Sequence, residues 1–162
     1  MQTWVLPPGK DSIRKLYYYG SDGQVRQREF TTSVELHGPF HARVLNLLDQ
    51  SVAVRFDEQK AMINAGQEIT LKVASPEGSF GFQYGLEQAG TTPYISPLKK
   101  LSFRRPQQRL TVIVGYLPST ETGEGGTSKT TYVPNALRFY EDVDRLPSIP
   151  DPVVVMPHLA RR

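Results

Sequence analysis

Ile69-Thr70-Leu71-Lys72-Val73 decides the fold class, because apolar and polar side chains alternate at every position. A period of two puts one face of an extended strand into a core and the other into water, whereas on a helix these residues would be scattered around the circumference. The turn residues Asn64-Ala65-Gly66-Gln67 precede the run and Pro76-Glu77-Gly78 follow it, so the strand is short and bounded on both sides.

Toward the N-terminus the same alternation recurs at Val52, Val54 and Phe56, and again at Phe40, Ala42 and Val44. Asp49-Gln50-Ser51 separates these two runs as a polar turn, and they are expected to pair as antiparallel neighbours. Further back, Ile13 to Tyr19 and Val25 to Phe30 flank Gly20-Ser21-Asp22-Gly23, which predicts a hairpin. Its Tyr17-Tyr18-Tyr19 places rings on both faces of one strand, one face buried and the other partly exposed. Trp4-Val5-Leu6 runs into Pro7-Pro8-Gly9 and allows only a short edge strand.

Toward the C-terminus, Phe80, Phe82, Tyr84 and Leu86 fall at spacing two and predict an inward aromatic face. Pro93, Pro97 and Pro106 make the stretch from Gly90 an irregular crossing or a broken edge strand. Leu110 to Tyr116 carries few charges and suits a central strand. Ser119 to Thr131 is rich in Gly, Ser, Thr and Glu without an apolar anchor and reads as a mobile excursion. A last strand follows through Leu137 and Phe139, and Glu141-Asp142-Val143-Asp144 is compatible with a single helical turn.

About eight short strands, with turn chemistry between them, specify an all-β fold. The expected architecture is an antiparallel β-sandwich, immunoglobulin-like or related, over residues 1–146, with a Pro-rich extended C-terminal tail over 147–162. The core is drawn from the alternating faces: Phe40, Val44, Val54, Phe56, Ile69, Leu71, Val73, Phe82, Tyr84, Leu110, Val112 and Val114. Four short stretches, Val44-Leu45-Asn46, Val52 to Asp57, Ala65-Gly66-Gln67 and Ile69 to Val73, resemble small immunoglobulin-like sandwiches of exported bacterial proteins. Alternation of this kind also arises by convergence, so no family follows from it.

Composition narrows the chemistry. The absence of cysteine removes disulfides, thiolate metal sites and cysteine nucleophiles. A net charge of +3 from 19 basic and 16 acidic residues is too small to name a polyanionic partner. No apolar run approaches the roughly 18 residues of a membrane helix, and residues 1–20 lack the pattern of a signal peptide. An exported or periplasmic location with a removed leader is slightly favoured over a cytoplasmic one.

No motif carries catalysis. Gly123-Glu124-Gly125-Gly126-Thr127-Ser128-Lys129-Thr130 invites comparison with a phosphate-binding loop, but Ser128 stands where that motif needs glycine, and Thr131-Tyr132-Val133-Pro134 does not open a helix. Glu35, His37 and His41 have even spacing for metal ligation, interrupted by Gly38-Pro39; His158 lies far away, and a solvent-facing role is favoured for these histidines. Ser, His and Asp are all present, but no nucleophile elbow is. No enzyme, catalytic residue, metal site or cofactor is expected.

The expected function is a non-catalytic protein-interaction or structural module, with another protein as partner. The tail supplies a candidate docking element, Val153, Val154, Val155 and Met156 between prolines, which is expected more often to strap its own domain than a partner. One alternative is carbohydrate binding on exposed tyrosines such as Tyr17, Tyr19, Tyr94 and Tyr132. The other is weak polyanion or nucleic-acid binding through Lys99, Lys100, Arg104, Arg105 and Arg109, with Tyr94 and Phe103 among them. Edge-strand protection by lysine and arginine explains that basic group more simply.

Overall fold

The computed structural model describes residues 12–32, 37–73, 78–87, 93–123 and 126–143. They form eleven strands and no helix: β1 (Ser12–Tyr19), β2 (Val25–Thr32), β3 (His41–Asn46), β4 (Val52–Phe56), β5 (Gln59–Ile63), β6 (Glu68–Lys72), β7 (Ser79–Leu86), β8 (Tyr94–Ile95), β9 (Lys99–Ser102), β10 (Gln108–Thr122) and β11 (Ser128–Asp142). The chain is therefore all-β, in two sheets packed as a sandwich, with eleven strands where about eight were expected. Trp4 to Leu6 and the tail from residue 147 lie outside the described residues.

The first sheet has the order β2-β1-β10-β3-β6, and β11 covers the other edge of β10. The second has the order β5-β4-β7-β8, with β9 beside β8 along the same edge of β7. All pairings are antiparallel except β3 with β10, which run parallel from Leu110 opposite Ala42 to Val114 opposite Asn46. A parallel pair needs a long crossover, and the intervening chain supplies it by building the whole second sheet.

Alternation sets the main core. Ala42, Val44, Leu110, Val112 and Val114 meet Val52, Val54, Phe56, Phe80, Phe82 and Leu86 between the sheets. Burying each large side chain is worth about 1.5–3 kcal/mol, and this interface supplies most of the driving force for folding. Of the expected core, Phe40, Ile69 and Leu71 are only half-buried, because they sit toward the sandwich margin and pack against it from the side.

A second core lies on the opposite face of the first sheet. Leu16 and Phe30 of the β1–β2 hairpin cover Leu45, Leu47 and Ile113, side chains that point away from the sandwich interior. Arg43 places its guanidinium 5.1 Å from the Phe30 ring centre and also pairs with Glu68, which Arg28 reaches from β2 at 3.0 Å. The low charge of Leu110 to Tyr116 has its explanation here, since β10 is buried on both faces.

Three expectations are corrected. β3 and β4 do not pair; they belong to different sheets, and the chain between them turns a corner from one to the other. Asn46 holds that corner: its Nδ2 faces the carbonyls of Gln50, Ile63 and Asn64 at 2.8, 3.0 and 3.1 Å, and its Oδ1 accepts from Leu48 N at 3.0 Å. Second, Glu141 and Asp142 do not begin a helical turn but end β11, whose pairing with β10 extends to Gln108 opposite Asp142. Third, most of Ser119 to Thr131 is strand, not loop, because β10 and β11 pair residue by residue out to Thr122 and Ser128.

Candidate functional site

The β10–β11 ribbon is longer than the sandwich needs. β10 is flanked on its far edge by β3 and then, at Tyr116 alone, by β1 through Tyr19. Beyond Tyr116 the only described neighbour of β10 is β11, and residues 120–123 and 126–130 are exposed. The result is a two-stranded arm projecting from the sheet. Thr120, Thr130, Thr122 and Ser128 share one face of it, and Glu121 lies opposite Lys129 on the other.

Backbone geometry shows how the arm's edges are arranged. Leu47 N donates to Val114 O at 2.8 Å and Phe40 N to Gln108 O at 2.8 Å, so even-numbered residues of β10 turn their backbone groups away from β11. By the same register the even-numbered residues of β11 turn theirs outward. Pro118 and Pro134 therefore lack the N–H groups that would have faced the two open edges. Proline at such positions blunts strand addition. Arg138, exposed and opposite Val112 on the core-side face of β11, adds a charge that resists burial of that edge.

The arm is anchored at its base. Tyr116 Oη donates to Asp49 Oδ1 at 2.5 Å, and Ser21 Oγ donates to Asp49 Oδ2 at 2.7 Å, so one carboxylate joins β10, the β3–β4 corner and the β1–β2 turn. The Tyr116 bond, followed by that of Ser21, holds Asp49 below the usual carboxylate range. Burial first and the Asp49 bond second push the Tyr116 phenol up to about 12. Tyr19 and Tyr132 meet at 5.0 Å between ring centres. Gly23, at φ +78°, lies so close under Tyr132 that a Cβ there would stand 2.5 Å from the ring.

The basic stretch does not form one surface. Lys99, Lys100, Arg104 and Arg105 are exposed, but Lys99 and Lys100 are consecutive on β9 and take opposite faces. Arg109 is buried, with Nε 3.1 Å from Glu141 Oε2 and an Nη donating to His37 O at 2.9 Å. It ties β10 and β11 to the chain before β3. The tyrosines do not form a platform either: Tyr19 is buried, Tyr17 and Tyr132 are half-buried against the core, and Tyr94 tilts by 52° to Tyr84.

The histidines are also placed differently from expectation. His37 is fully buried rather than solvent-facing, with Nε2 3.0 Å from Leu110 O and 3.3 Å from His41 O, which makes Nε2 the protonated nitrogen. Among the described residues its Nδ1 has no hydrogen-bond partner. Burial, then the nearby Arg109 charge, lower its pKa to about 4. His41 is half-buried with Nδ1 2.8 Å from Pro39 O. Glu35, His158 and Val153 to Met156 lie outside the described residues. Among the described residues no group of three or more His, Asp or Glu side chains is arranged to hold a metal ion.

The arm was missed in the sequence because its Thr, Ser, Glu and Lys side chains lack an apolar face, and its strand character comes from pairing alone. Pro118, opposite Tyr132, and Pro134, opposite Tyr116, are its edge signal in the sequence. Comparison with protein-family models, with curated proteins and with solved structures finds no match to this chain.

Proposed function

We propose that this protein is a non-catalytic protein-interaction module and that the β10–β11 arm is its contact element. The supporting observation is the continuation of paired strands past the Ser119–Thr131 pair, where residues 120–123 and 126–130 are exposed and the sandwich no longer needs them. An isolated two-stranded ribbon is marginal in water, and ordering each residue costs about 1–2 kcal/mol of backbone entropy. The exposed segment buries no core in return, so its retention is explained by a contact outside the molecule. With Pro118 and Pro134 blunting the edges, recognition runs through the faces, one a hydroxyl surface of Thr120, Thr122, Ser128 and Thr130, the other bearing Glu121 and Lys129.

The test replaces Thr120 to Thr130 by Asn-Gly, which closes a tight hairpin at the Ser119–Thr131 pair and leaves Tyr132 in place. Partners captured from the source cells by the full chain and by the short-armed variant are then compared, with melting temperature as the control for folding. Loss of a specific partner at unchanged melting temperature supports the reading. Capture of the same partners by both forms contradicts it.

A further inference from the structure

The β1–β2 hairpin pairs over eight residues, from Ser12 opposite Thr32 to Tyr19 opposite Val25, and is one ribbon. Among the described residues, Tyr19 opposite Tyr116 is the single backbone pair that joins this ribbon to the first sheet. Tyr18, Gly115, Asn135 and Leu137 line a narrow cleft beside that pair, so the ribbon is not packed flush against β10 and β11. A unit joined so narrowly can open as a body while the sheets beneath it stay paired.

Along its body the ribbon is held at Glu68 of β6. Glu68 lies opposite Leu45, on the face that Leu16 and Phe30 cover. Arg28 reaches from β2 to donate to Gly66 O at 2.7 Å and to Glu68 Oε2 at 3.0 Å. Glu68 Oε1 pairs with the buried Arg43, whose guanidinium sits against the Phe30 ring. One carboxylate therefore joins two guanidinium groups, one on the ribbon and one on the sheet. Removing its charge leaves two cations on either side of the seam, which favours separation.

At its turn the ribbon meets the base of the arm. Tyr132 of β11, opposite Pro118, sets its ring 5.0 Å from that of Tyr19 and close over Gly23. Gly23 has φ +78°, and a Cβ on it would stand 2.5, 2.8 and 2.9 Å from three atoms of the Tyr132 side chain, so the turn meets Tyr132 through bare backbone. Ser21 donates to the same Asp49 carboxylate as Tyr116. A displacement of the turn is thus passed to the arm by direct contact.

We propose that the β1–β2 hairpin is a lid latched by Glu68, which opens as one body about the Tyr19–Tyr116 pair and, through Tyr132, sets the order and direction of the β10–β11 arm. With the lid shut, Tyr19 and Gly23 hold Tyr132 in place. With it open, that hold is lost and the shelf of Leu45, Leu47 and Ile113 is uncovered. As a control on partner contact the device rests on the arm being the contact element; as a coupling within the chain it does not.

The test is hydrogen exchange and aromatic NMR on the isolated full chain, so its outcome is separate from any failure to capture a partner. Glu68→Gln keeps the shape of the latch, removes its charge and acts at Arg28, five residues along the ribbon from Gly23. The β1 and β2 amides should exchange faster by about fivefold or more, the lower end of ordinary coupling between sites, with β4 and β7 unchanged. The Tyr132 ring signals should shift and their contacts to the Gly23 Hα protons weaken. Because coupling is reciprocal, Tyr132→Ala on the arm should speed exchange around Leu16 and Phe30 by a comparable factor. Faster hairpin exchange with the Tyr132–Gly23 contacts intact overturns the proposal, since lid and arm would then be independent, and so does Tyr132→Ala without effect on the hairpin. Unchanged hairpin exchange in Glu68→Gln overturns it by leaving Glu68 without a latching role. Equal acceleration in β4 and β7 does so by showing that the hairpin does not open as a body of its own.

Discussion

The Tyr116 hydroxyl and the Asp49 carboxylate meet at 2.5 Å where the projecting arm leaves the sandwich. Asp49 also accepts from Ser21, so three segments distant in sequence depend on one side chain.

Tyr116→Phe removes a hydrogen bond to a charged acceptor and is expected to lower stability by about 1–2 kcal/mol, reduced by the partial exposure of the site. Denaturant unfolding at neutral pH measures it. The phenol gives a second readout: because burial is the larger cause of its raised pKa, Asp49→Asn should lower the Tyr116 pKa from about 12 without returning it to 10, as followed by ultraviolet titration.

His37 predicts an acid weakness. Its folded pKa of about 4 lies below the ordinary 6.5, so the unfolded chain takes up a proton first as pH falls. The stability held by neutral His37 is full above pH 6.5, declines between 6.5 and 4, and is lost below 4. The gap corresponds to about 3 kcal/mol. His37→Gln can still donate to Leu110 O and cannot titrate. The difference in unfolding free energy between the two forms should shrink or reverse toward pH 4, while the carboxylates titrating in that range contribute equally to both. A difference constant with pH would contradict the assignment.

The two cores should fail differently. Phe82→Ala, between the sheets, is expected to cost about 3–5 kcal/mol and to raise hydrogen exchange throughout both sheets. Ile113→Ala, beneath the hairpin, is expected to cost about 2–4 kcal/mol and to expose the β1–β2 amides first, leaving β4 and β7 protected. Uniform loss of protection in both variants would mean that the hairpin and sandwich are one cooperative unit.

Much of this fold was legible in the alternation. The Phe80 to Leu86 face, the Leu110 to Tyr116 central strand, the broken edge around Pro97 and the Gly20 to Gly23 hairpin all follow from local pattern, because each face meets a single environment. What the pattern could not carry was partnership between strands. β3 and β4 read as neighbours because their spacing and turn chemistry suit a hairpin, yet the buried Asn46 amide turns the chain to the other sheet. β5 went unread because Gln59, Lys60 and Met62 are exposed at a sheet edge and dilute the alternation. Arg109 read as surface charge because its acceptors, Glu141 and the His37 carbonyl, are about 30 and 70 residues away in sequence.

Site-specific photo-crosslinking in the source cells tests the role of the arm most directly, with a photoreactive residue placed at Glu121 or Lys129 and controls at the exposed Glu58 and Lys72. If the arm is the contact element, the arm positions give a discrete protein adduct and the control positions give none. Adducts from Glu58 or Lys72 with none from Glu121 or Lys129 would contradict it.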